Sequence, residues 1–335
     1  MGKTKLLVNL PEGFFKAPAL AGRFDRLGEA MELRKTSYDS IGQFKDDIGW
    51  PNAIFMWAWP TFTDADVERA AELRFMGQIN TTQRHVRACF KKGIAVSEVR
   101  GAWSPAVAEM ALGLILTGLR KISQYHMDMR MGAEVWDGGF PYETDPLERQ
   151  LTGRSVGIVG FGGIGRRLSE LLAPFSVRLG VYDPYLPASA AEGCGAARYE
   201  SVAELAADSE VLVLCAANTE GAAKVVGRKE IYSLRKDSLL VNVGRSMLMD
   251  MDALAERLEA LEITAMLDVF DKEPLEPDSR FRRMANAYLT PHRAGGIVES
   301  AVRSIDYLTH DLLAFLEGGE RKYAVTESMM NCFPN

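Results

Sequence analysis

The 335-residue sequence predicts an α/β fold built on doubly wound parallel sheets. Short apolar runs that are typical of buried strands alternate with helical patterns along most of the chain. One run, Val156 to Val159, leads directly into the turn Gly160-x-Gly162-x-x-Gly165, after which the pattern becomes helical. The length and this alternation together predict two domains.

Before the glycine turn, the sequence predicts a small parallel-sheet unit. Its predicted strands are Lys5–Leu10, Ala53–Trp59, Phe75–Ile79 and Ile94–Val99. Its predicted helices run from the Thr63-Asp64 cap toward Leu73 and from Gln83 to Lys92.

A long helix is then predicted from Ser104 to about Gln124, with Pro105 in its first turn. We expect this helix to bridge two domains. Residues 132–150 are rich in glycine, proline and acidic residues, and they carry Trp136 and Phe140. They are predicted to form a loop or a subunit contact.

After the glycine turn, the alternation of strands and helices continues to about residue 316. The predicted strands are Val177–Tyr182, Val211–Cys215, Leu239–Val243, Met266–Phe270 and Ala287–Leu289. The predicted helices are Gly163–Leu172, Asp252–Leu261 and Val298–Leu316.

Composition excludes several classes of partner. The net charge is −6 and 25% of residues are charged, which indicates neither a nucleic-acid nor a membrane surface. The four cysteines show no C-x-x-C spacing, and we expect no metal site. With no signal-peptide pattern and no apolar run of membrane-spanning length, we expect a cytoplasmic protein.

The glycine turn predicts a dinucleotide site. The first glycine permits the tight turn, the second admits a pyrophosphate to the backbone, and the third lets helix and strand pack closely; the helix N-terminus then attracts the phosphates. The residues expected to bind the cofactor here are Gly160, Gly162, Gly163, Ile164, Gly165 and Arg166. Asp183, eighteen residues past Gly165, is expected to bind the ribose hydroxyls of NAD. The residue after Asp183 is Pro184 rather than a cation that could bind a 2′-phosphate, so NAD is favoured over NADP. Alternatively, Asp183 serves only to cap a turn.

Three ionisable residues follow predicted strands of the second half: Arg245, Glu273 and His292. Ligands of open parallel sheets bind beyond the carboxyl ends of the strands, so these side chains are expected to converge there. His292 could protonate a forming alkoxide, and Glu273 could orient its imidazole and favour its charged form. Arg245 could bind a substrate carboxylate. The group suits reversible hydride transfer to a carbonyl.

Each of these assignments has a simpler alternative. Glu273 could be a solvated loop acid and Arg245 a salt-bridge partner. His292 alone among the four histidines follows a strand, whereas His85, His126 and His310 lie in or near predicted helices, where ordinary structural histidines are common.

Several ordered motifs resemble the D-2-hydroxyacid dehydrogenases, over roughly residues 70–320. The motifs are V-G-I-V-G-F-G-G-I-G-R-R (156–167), V-N-V-G-R-S (241–246), L-D-V-F-D-K-E-P (267–274), L-T-P-H-R-A-G-G (289–296), S-P-A-V-A-E-M-A-L-G-L-I-L (104–116) and R-M-G-A-E-V-W (130–136). The last two are similar to the interdomain helix and the dimer-loop segment of that family.

The resemblance implies that Arg245, Glu273 and His292 form a catalytic triad and that Asp268 holds the nicotinamide carboxamide. The further cofactor contacts that we expect are Val243, Gly244, His292 and Gly295. The resemblance also implies a Rossmann-type domain, 104–295, inserted into a smaller flavodoxin-like α/β substrate domain formed by 1–103 and 296–335. A homodimer is expected as well.

The loop at 77–84 departs from the family, which usually carries a Gly-Ala-Gly-type loop here for the substrate carboxylate. Its residues suggest a bulkier or more highly charged anion, such as a phosphate or phosphonate; alternatively, this is a solvated helix start. The residues expected to contact the substrate are Asn80, Thr81, Thr82, Arg84, Arg100 and Arg245, with Trp57 and Trp59 flanking them. A smaller departure is Gly244-Arg245-Ser246, where the family usually has Ala-Arg-Gly.

The sequence therefore predicts an NAD-dependent enzyme that interconverts a 2-oxo acid and a D-2-hydroxy acid, acting on a small anionic substrate. One alternative is a non-catalytic NAD(H)-sensing partner protein of the same fold, resembling the corepressors related to this family. A formate dehydrogenase is disfavoured, because such enzymes are expected to have Gln in place of Glu273.

Overall fold

The computed structural model describes residues 2–44, 47–57, 62–79, 83–134, 145, 147–187, 191 and 193–332. Two compact units divide the chain. The first, which we call the split unit, combines Met1–Trp103 with Gly296–Asn335. The second, the central unit, is Ser104–Gly295. Each unit is built around an all-parallel sheet, so the predicted α/β class is confirmed.

The split unit contains a sheet in the order β2-β1-β3-β4-β5, the doubly wound order of flavodoxin-like folds. Its strands are β1 Lys5–Asn9, β2 Glu32–Thr36, β3 Ala53–Trp57, β4 Phe75–Ile79 and β5 Ala95–Glu98. Its helices are α1 Glu12–Lys16, α2 Pro18–Ala30, α3 Asp64–Arg69, α4 Gln83–Lys91 and the C-terminal helix Val298–Leu316.

Apolar side chains cover both faces of this sheet. One core cluster includes Val67 of α3 and Val86 of α4. The other includes Phe24 of α2 together with Ile305 and Leu308 of the C-terminal helix. Because both faces are covered, the central strands β3 and β4 are buried along nearly their whole length rather than at every second residue.

The chain after the C-terminal helix closes the edge of this sheet. Ala324 forms an antiparallel bridge with Ser97 of β5. The buried carboxylate of Asp311 anchors this segment, since it accepts hydrogen bonds from Ser97 Oγ at 2.6 Å and from the N–H groups of Lys322 and Tyr323 at 2.9 Å. Closing an edge in this way removes a row of unpaired backbone groups.

The central unit contains a sheet in the order β12-β11-β10-β9-β6-β7-β8. Counted within the unit, this is 7-6-5-4-1-2-3, the dinucleotide-binding order with one more strand. Its strands are β6 Ser155–Val159, β7 Arg178–Tyr182, β8 Ala197–Arg198, β9 Val211–Leu214, β10 Leu239–Asn242, β11 Thr264–Leu267 and β12 Ala287–Leu289. Its helices are α5 Ser104–Leu119, α6 Ile122–Met131, α7 Gly163–Leu172, α8 Val202–Asp208, α9 Arg228–Ser233 and α10 Met251–Glu259; the C-terminal helix of the split unit is α11.

Helix α5 packs on the central sheet. A Cβ atom added at Gly118 would lie 2.7 Å from Leu239 of β10. By length and composition alone, Arg100–Leu119 could cross a membrane, with a mean hydropathy of 1.4. Its apolar residues are instead explained by contacts inside the protein, because Ala108, Ala111 and Ile115 are fully buried.

The predicted single helix from Ser104 to Gln124 is wrong, since α5 ends at Leu119 and α6 begins at Ile122. Lys121, which separates them, has φ 50° and forms an ion pair with Asp145. A left-handed residue cannot continue a right-handed helix.

Two other predicted elements end early. The helix predicted toward Leu73 stops at Arg69, and Lys92 Nζ donates to carbonyl oxygens at its end. The strand predicted over Met266–Phe270 is Thr264–Leu267. Helix α2 and the edge strand β2 were not predicted. Trp59, Trp136 and Phe140 lie outside the described residues.

Replacing Asp311 by alanine should lower the free energy of unfolding by about 3 kcal/mol, because one buried and two partly buried donors lose their acceptor. Asp306→Ala on the same helix is the control. Its carboxylate is exposed and pairs with Arg23, so the loss should stay below about 1 kcal/mol. Urea unfolding measures both, and equal losses would contradict the anchoring role of Asp311.

Candidate active site

The glycine turn between β6 and α7 has the tight geometry that its spacing predicts. Gly160 has φ +90°, and a Cβ atom there would lie 2.4 Å from Ala216 Cα. A Cβ atom at Gly165 would lie 2.4 Å from the carbonyl oxygen of Gly160. A Cβ atom at Gly162 would meet nothing within 4 Å. The first and third glycines are therefore required by packing, and the second leaves open space in front of the turn.

This open space lies at the start of α7. Gly162 is the N-cap, so the first N–H groups of the helix, from Gly163 onward, have no partner within the helix. Ile164 is half-buried, and the exposed Arg166 places its guanidinium 5.4 Å from the centre of the Phe161 ring. An exposed helix N-terminus that begins with two glycines fits a pyrophosphate.

Asp183 follows β7 and is fixed beside the same turn. One carboxylate oxygen accepts from Phe161 N–H at 2.8 Å and the other from Tyr185 N–H at 2.9 Å. Asp183 therefore does cap a turn, and the same contacts hold its negative charge against the glycine turn. Both predicted roles are compatible with this geometry.

His292 and Glu273 are in direct contact. His292 Nδ1 lies 2.6 Å from Glu273 Oε2. Because an ionised carboxylate can only accept, Nδ1 carries the proton, and Nε2 is the ring nitrogen that does not contact Glu273. The other Glu273 oxygen accepts from Phe270 N–H at 3.0 Å, which holds the carboxylate in place.

Arg245 lies on the loop after β10, and Asn242 shapes that loop. The fully buried Asn242 side chain donates to the Arg245 carbonyl and accepts from Gly244 N–H, both at 3.0 Å. A Cβ atom at Gly244 would lie 3.3 Å from the carbonyl oxygen of Ala216, so glycine lets this loop approach closely. Val243 is buried beside it.

Asp268, the first residue after β11, anchors the turn that carries His292. Its fully buried carboxylate accepts from Thr290 Oγ1 and, at 2.9 Å, from the N–H groups of Arg293 and Ala294. Its carbonyl oxygen accepts from His292 N–H at 2.8 Å. Gly295 follows directly. The described contacts of the Asp268 side chain are therefore with this turn.

The charges of the group act on one another. Burial alone would raise the pKa of Glu273, but the hydrogen bonds from His292 and Phe270 and the charge of Arg245 outweigh it, so this pKa lies below its usual value. Desolvation lowers the pKa of Arg245, while the carboxylates of Glu273 and Asp268 act in the opposite direction. Glu273 is thus ionised and Arg245 charged at neutral pH.

Of the residues predicted to contact the substrate from the split unit, the structure describes only Arg84 and Arg100. Asn80, Thr81 and Thr82 lie outside the described residues. Arg84 is exposed in the first turn of α4.

Arg100 already has a carboxylate partner. Its Nε lies 2.9 Å from Glu98 Oε1, and burial raises the pKa of Glu98 to about 7 despite this cation. The charge of Arg100 is therefore at least partly balanced within its own unit.

Trp57, which was expected to flank the substrate contacts, packs edge-to-face on Trp103 and Phe14, with ring centres 5.8 Å apart in each pair.

Sequence reasoning missed the residues that hold the group together. Asn242 and Thr290 were not singled out, and Asp268 was assigned only to the cofactor. A polar residue at the end of an otherwise apolar buried strand, as in L-L-V-N (239–242), is a signal that could have identified Asn242.

Comparison with known proteins identifies a protein family whose model matches this chain. The model of the NAD binding domain of D-isomer specific 2-hydroxyacid dehydrogenases matches residues 112–294. The chain is 29% identical over 272 residues to D-3-phosphoglycerate dehydrogenase of Methanocaldococcus jannaschii, covering 80% of this chain but only about half, 49%, of that relative. It is 30% identical over 262 residues to glyoxylate reductase of Aeropyrum pernix, covering 76% and 77% of the two chains.

The solved structure of a 2-hydroxyacid dehydrogenase from Ketogulonicigenium vulgare Y25 is also similar. It matches with a TM-score of 0.79 and 25% identity, over 97% of this chain and 99% of that one.

Asp268→Asn should cost about 1–3 kcal/mol of unfolding free energy, because the amide NH₂ then opposes a backbone N–H of the His292 turn. Asp271→Asn is the matched control, since Asp271 is exposed. Urea unfolding measures both. If the two variants are equally stable, Asp268 does not anchor the turn.

Proposed function

This chain belongs to the family of D-isomer specific 2-hydroxyacid dehydrogenases, and we propose that it is an NAD-dependent reductase that converts a 2-oxo acid to the D-2-hydroxy acid, reversibly. The observation that carries this proposal is the 2.6 Å contact between His292 and Glu273. A histidine oriented by a carboxylate, beside an arginine, is the arrangement that proton transfer to a carbonyl oxygen requires.

Each residue of the group has a separate role in the proposed reaction. When bound, the reduced nicotinamide supplies the hydride that adds to the carbonyl carbon. Arg245 binds the substrate carboxylate through its fork of donors. His292 Nε2 gives a proton to the oxygen that becomes the hydroxyl, and Glu273 stabilises the charged imidazole before the transfer. In the reverse direction His292 accepts that proton.

We assign the central unit to the cofactor and the split unit to the substrate. The open turn at Gly162 and the helix start behind it support the first assignment. The predicted loop 77–84 is shorter in the structure, since Gly77–Ile79 belong to β4 and α4 begins at Gln83. The exposed Arg84 and the polar sequence Asn80-Thr81-Thr82 support the second assignment. They also favour a substrate that bears a second anionic group, such as a phosphate or phosphonate.

His292→Ala should lower kcat for 2-oxo acid reduction with NADH by a factor of about 10² to 10⁴, the usual contribution of a general acid. His310→Ala should change kcat little, because that side chain is 58% exposed on α11. Turnover is followed by NADH absorbance over a panel of 2-oxo acids, with and without phosphate or phosphonate groups. Near-normal turnover in His292→Ala would refute the assignment, and NADH binding without turnover on any acid would favour the sensing alternative.

We propose NAD rather than NADP as the cofactor because of Asp183. Its carboxylate is fixed beside the turn, and a 2′-phosphate placed there would meet a like charge. The chain continues Pro184-Tyr185-Leu186-Pro187, which supplies no cation to a phosphate.

The wild type should therefore show a kcat/KM for NADH at least about tenfold above that for NADPH, since like-charge contacts cost more than the 1.4 kcal/mol of a tenfold difference. Asp183→Ala should lower the ratio of kcat/KM for NADH to kcat/KM for NADPH. Asp278→Ala, which removes an exposed carboxylate elsewhere in the unit, should not. A wild-type preference for NADPH would contradict the role of Asp183.

We propose a homodimer that uses α6. No residue of this helix is buried, and its exposed side chains include Ile122, Met127, Met129 and Met131, which are 52–74% exposed. Exposed apolar patches of this kind mark interfaces. The resemblance of 130–136 to a dimer-loop segment points to a second copy of the chain.

The double variant Met127→Glu/Met131→Glu should therefore shift the mass in solution from dimer to monomer, because buried carboxylates would be desolvated. Light scattering after gel filtration measures this mass. Leu316→Glu on α11 is the control for an exposed apolar residue. A wild-type protein with a monomeric mass in solution would contradict the proposed homodimer.

We also propose that the protein works in the cytoplasm. Cys89 and Cys215 are buried and unpaired, and burial raises the pKa of both thiols to about 12. Such thiols are typical of proteins in a reducing compartment. Cell fractionation that places the protein outside the cytoplasm would contradict this location.

A further inference from the structure

Arg245 is a single exposed residue in an otherwise buried stretch of the central unit. The strand and loop that precede it, residues 239–244, are buried throughout, and so is Ser246 after it. Arg245 itself reaches the solvent-exposed surface at the carboxyl end of β10. The direction of this one guanidinium group is therefore set by the buried loop from which it projects.

The side chain of Asn242 holds this loop at two points. Its Oδ1 accepts from Gly244 N–H and its Nδ2 donates to the Arg245 carbonyl oxygen, both at 3.0 Å. The first contact spans two residues, and asparagine turns of this kind fix the backbone locally. Leu248 N–H also donates to the Arg245 carbonyl, at 3.3 Å, so Asn242 is the nearer of two donors.

Asn242 is itself held by the strands on both sides. It is the last residue of β10, it is fully buried, and it lies in register with Leu214 of β9 and Leu267 of β11. Its carbonyl oxygen accepts from the N–H of Asp268 at 3.0 Å, and Asp268 anchors the turn of His292. The loop of the arginine and the turn of the histidine are therefore attached to the sheet at neighbouring points.

The guanidinium group is bound to the same loop. Arg245 Nη1 donates to the carbonyl oxygen of Gly244 at 2.7 Å, and this is its one hydrogen bond with the described residues. Gly244 is thus held at its N–H by Asn242 and holds the Arg245 side chain at its carbonyl. A change at Asn242 displaces the residue that orients the guanidinium group.

We propose that Asn242 is a positioning residue for Arg245. It fixes the direction of the guanidinium group and thereby sets how strongly the enzyme prefers a 2-oxo acid to an uncharged carbonyl compound. Because Asn242 is fully buried, it acts through Arg245 rather than on the substrate. The inference rests on the proposed function, in which Arg245 binds the substrate carboxylate. Two N–H donors must point at that carboxylate together, so the contact weakens when the guanidinium group turns.

Reduction of a 2-oxo acid and of its methyl ester tests this role, because the ester keeps the reacting carbonyl and lacks the carboxylate. The acid is the one that the wild type reduces fastest. Asn242→Ala should lower the ratio of kcat/KM for the acid to kcat/KM for the ester by about tenfold to a hundredfold, the scale of loss for a binding group displaced by about 1 Å. Asn242→Ser removes a similar volume but offers Gly244 N–H a weaker hydrogen bond, so its ratio should lie between the two.

A double-variant cycle separates positioning from damage to the fold. Arg245→Ala removes the carboxylate contact and should lower the acid-to-ester ratio furthest. Arg245→Ala/Asn242→Ala should show the same ratio as Arg245→Ala, because Asn242 acts only through the guanidinium group. A further fall in the double variant, or a wild-type ratio in Asn242→Ala, would overturn the proposal.

Asn286→Ala is the matched control. Asn286 Nδ2 also donates to two backbone carbonyl oxygens, those of Leu258 and Ile263, at 3.0 and 2.7 Å. These contacts lie at the amino ends of β11 and β12, away from Arg245. The substitution should lower the stability of the same unit and leave the acid-to-ester ratio unchanged. An equal fall of the ratio in Asn286→Ala and Asn242→Ala would indicate lost stability alone and would contradict the positioning role.

The mobility of the guanidinium group measures the same role without turnover. In protein labelled with ¹⁵N-arginine, relaxation of the Arg245 Nε–H group reports its motion on the ps–ns timescale. The order parameter should fall in Asn242→Ala and stay constant in Asn286→Ala. A wild type that reduces no 2-oxo acid would contradict the proposed function, and the order parameter would still decide the role of Asn242. An unchanged order parameter in Asn242→Ala would refute that role.

Discussion

The buried carboxylate of Asp268 is the contact on which the geometry of the His292 group depends. His292 has φ +50°, a conformation that costs a non-glycine residue of the order of 1–3 kcal/mol unless its surroundings impose it. Asp268 imposes it, with its carbonyl oxygen on His292 N–H and its carboxylate on Thr290, Arg293 and Ala294. The imidazole is thus directed toward Glu273 by the backbone as well as by its own hydrogen bond. A fixed direction of this kind is what pre-organised proton transfer needs.

A second constraint joins the cofactor turn to the loop that carries Arg245. Gly160 and Gly244 both approach the backbone of Ala216, one at its Cα and the other at its carbonyl oxygen. Side chains at either glycine would push the two loops apart. Both loops therefore lie close to Ala216, because they follow β10 and β6, the two parallel strands that flank β9, and because neither carries a Cβ atom at the point of contact. The glycine turn that we expect to bind the dinucleotide and the arginine that we expect to bind the substrate carboxylate therefore pack on the same residue.

The sequence predicted the glycine turn, Asp183 and the three residues after strands, because parallel strands deliver their carboxyl ends to one edge whatever the details of the loops. It could not predict that β11 ends at Leu267, since Val269 and Phe270 are apolar and buried although they lie outside the strand. The break at Lys121 was equally hidden, because no glycine or proline marks it. Strand β2, E-L-R-K-T, is an edge strand with no buried residue, so it carries no apolar signal. Element ends of this kind are decided by tertiary contacts that a local pattern does not contain.

The lowered pKa of Glu273 confines the titration of this carboxyl group to acid. A carboxyl whose pKa in the folded protein lies below its unfolded value stabilises the fold above that unfolded value, and this stability is lost as the pH falls through the folded pKa. With about a third of its side chain exposed, the contribution of Glu273 is modest and confined to acid. Through neutral pH its charge is constant. In the proposed reaction, reduction of a carbonyl consumes a proton and oxidation of a hydroxyl releases one, so acid favours reduction and alkali favours oxidation.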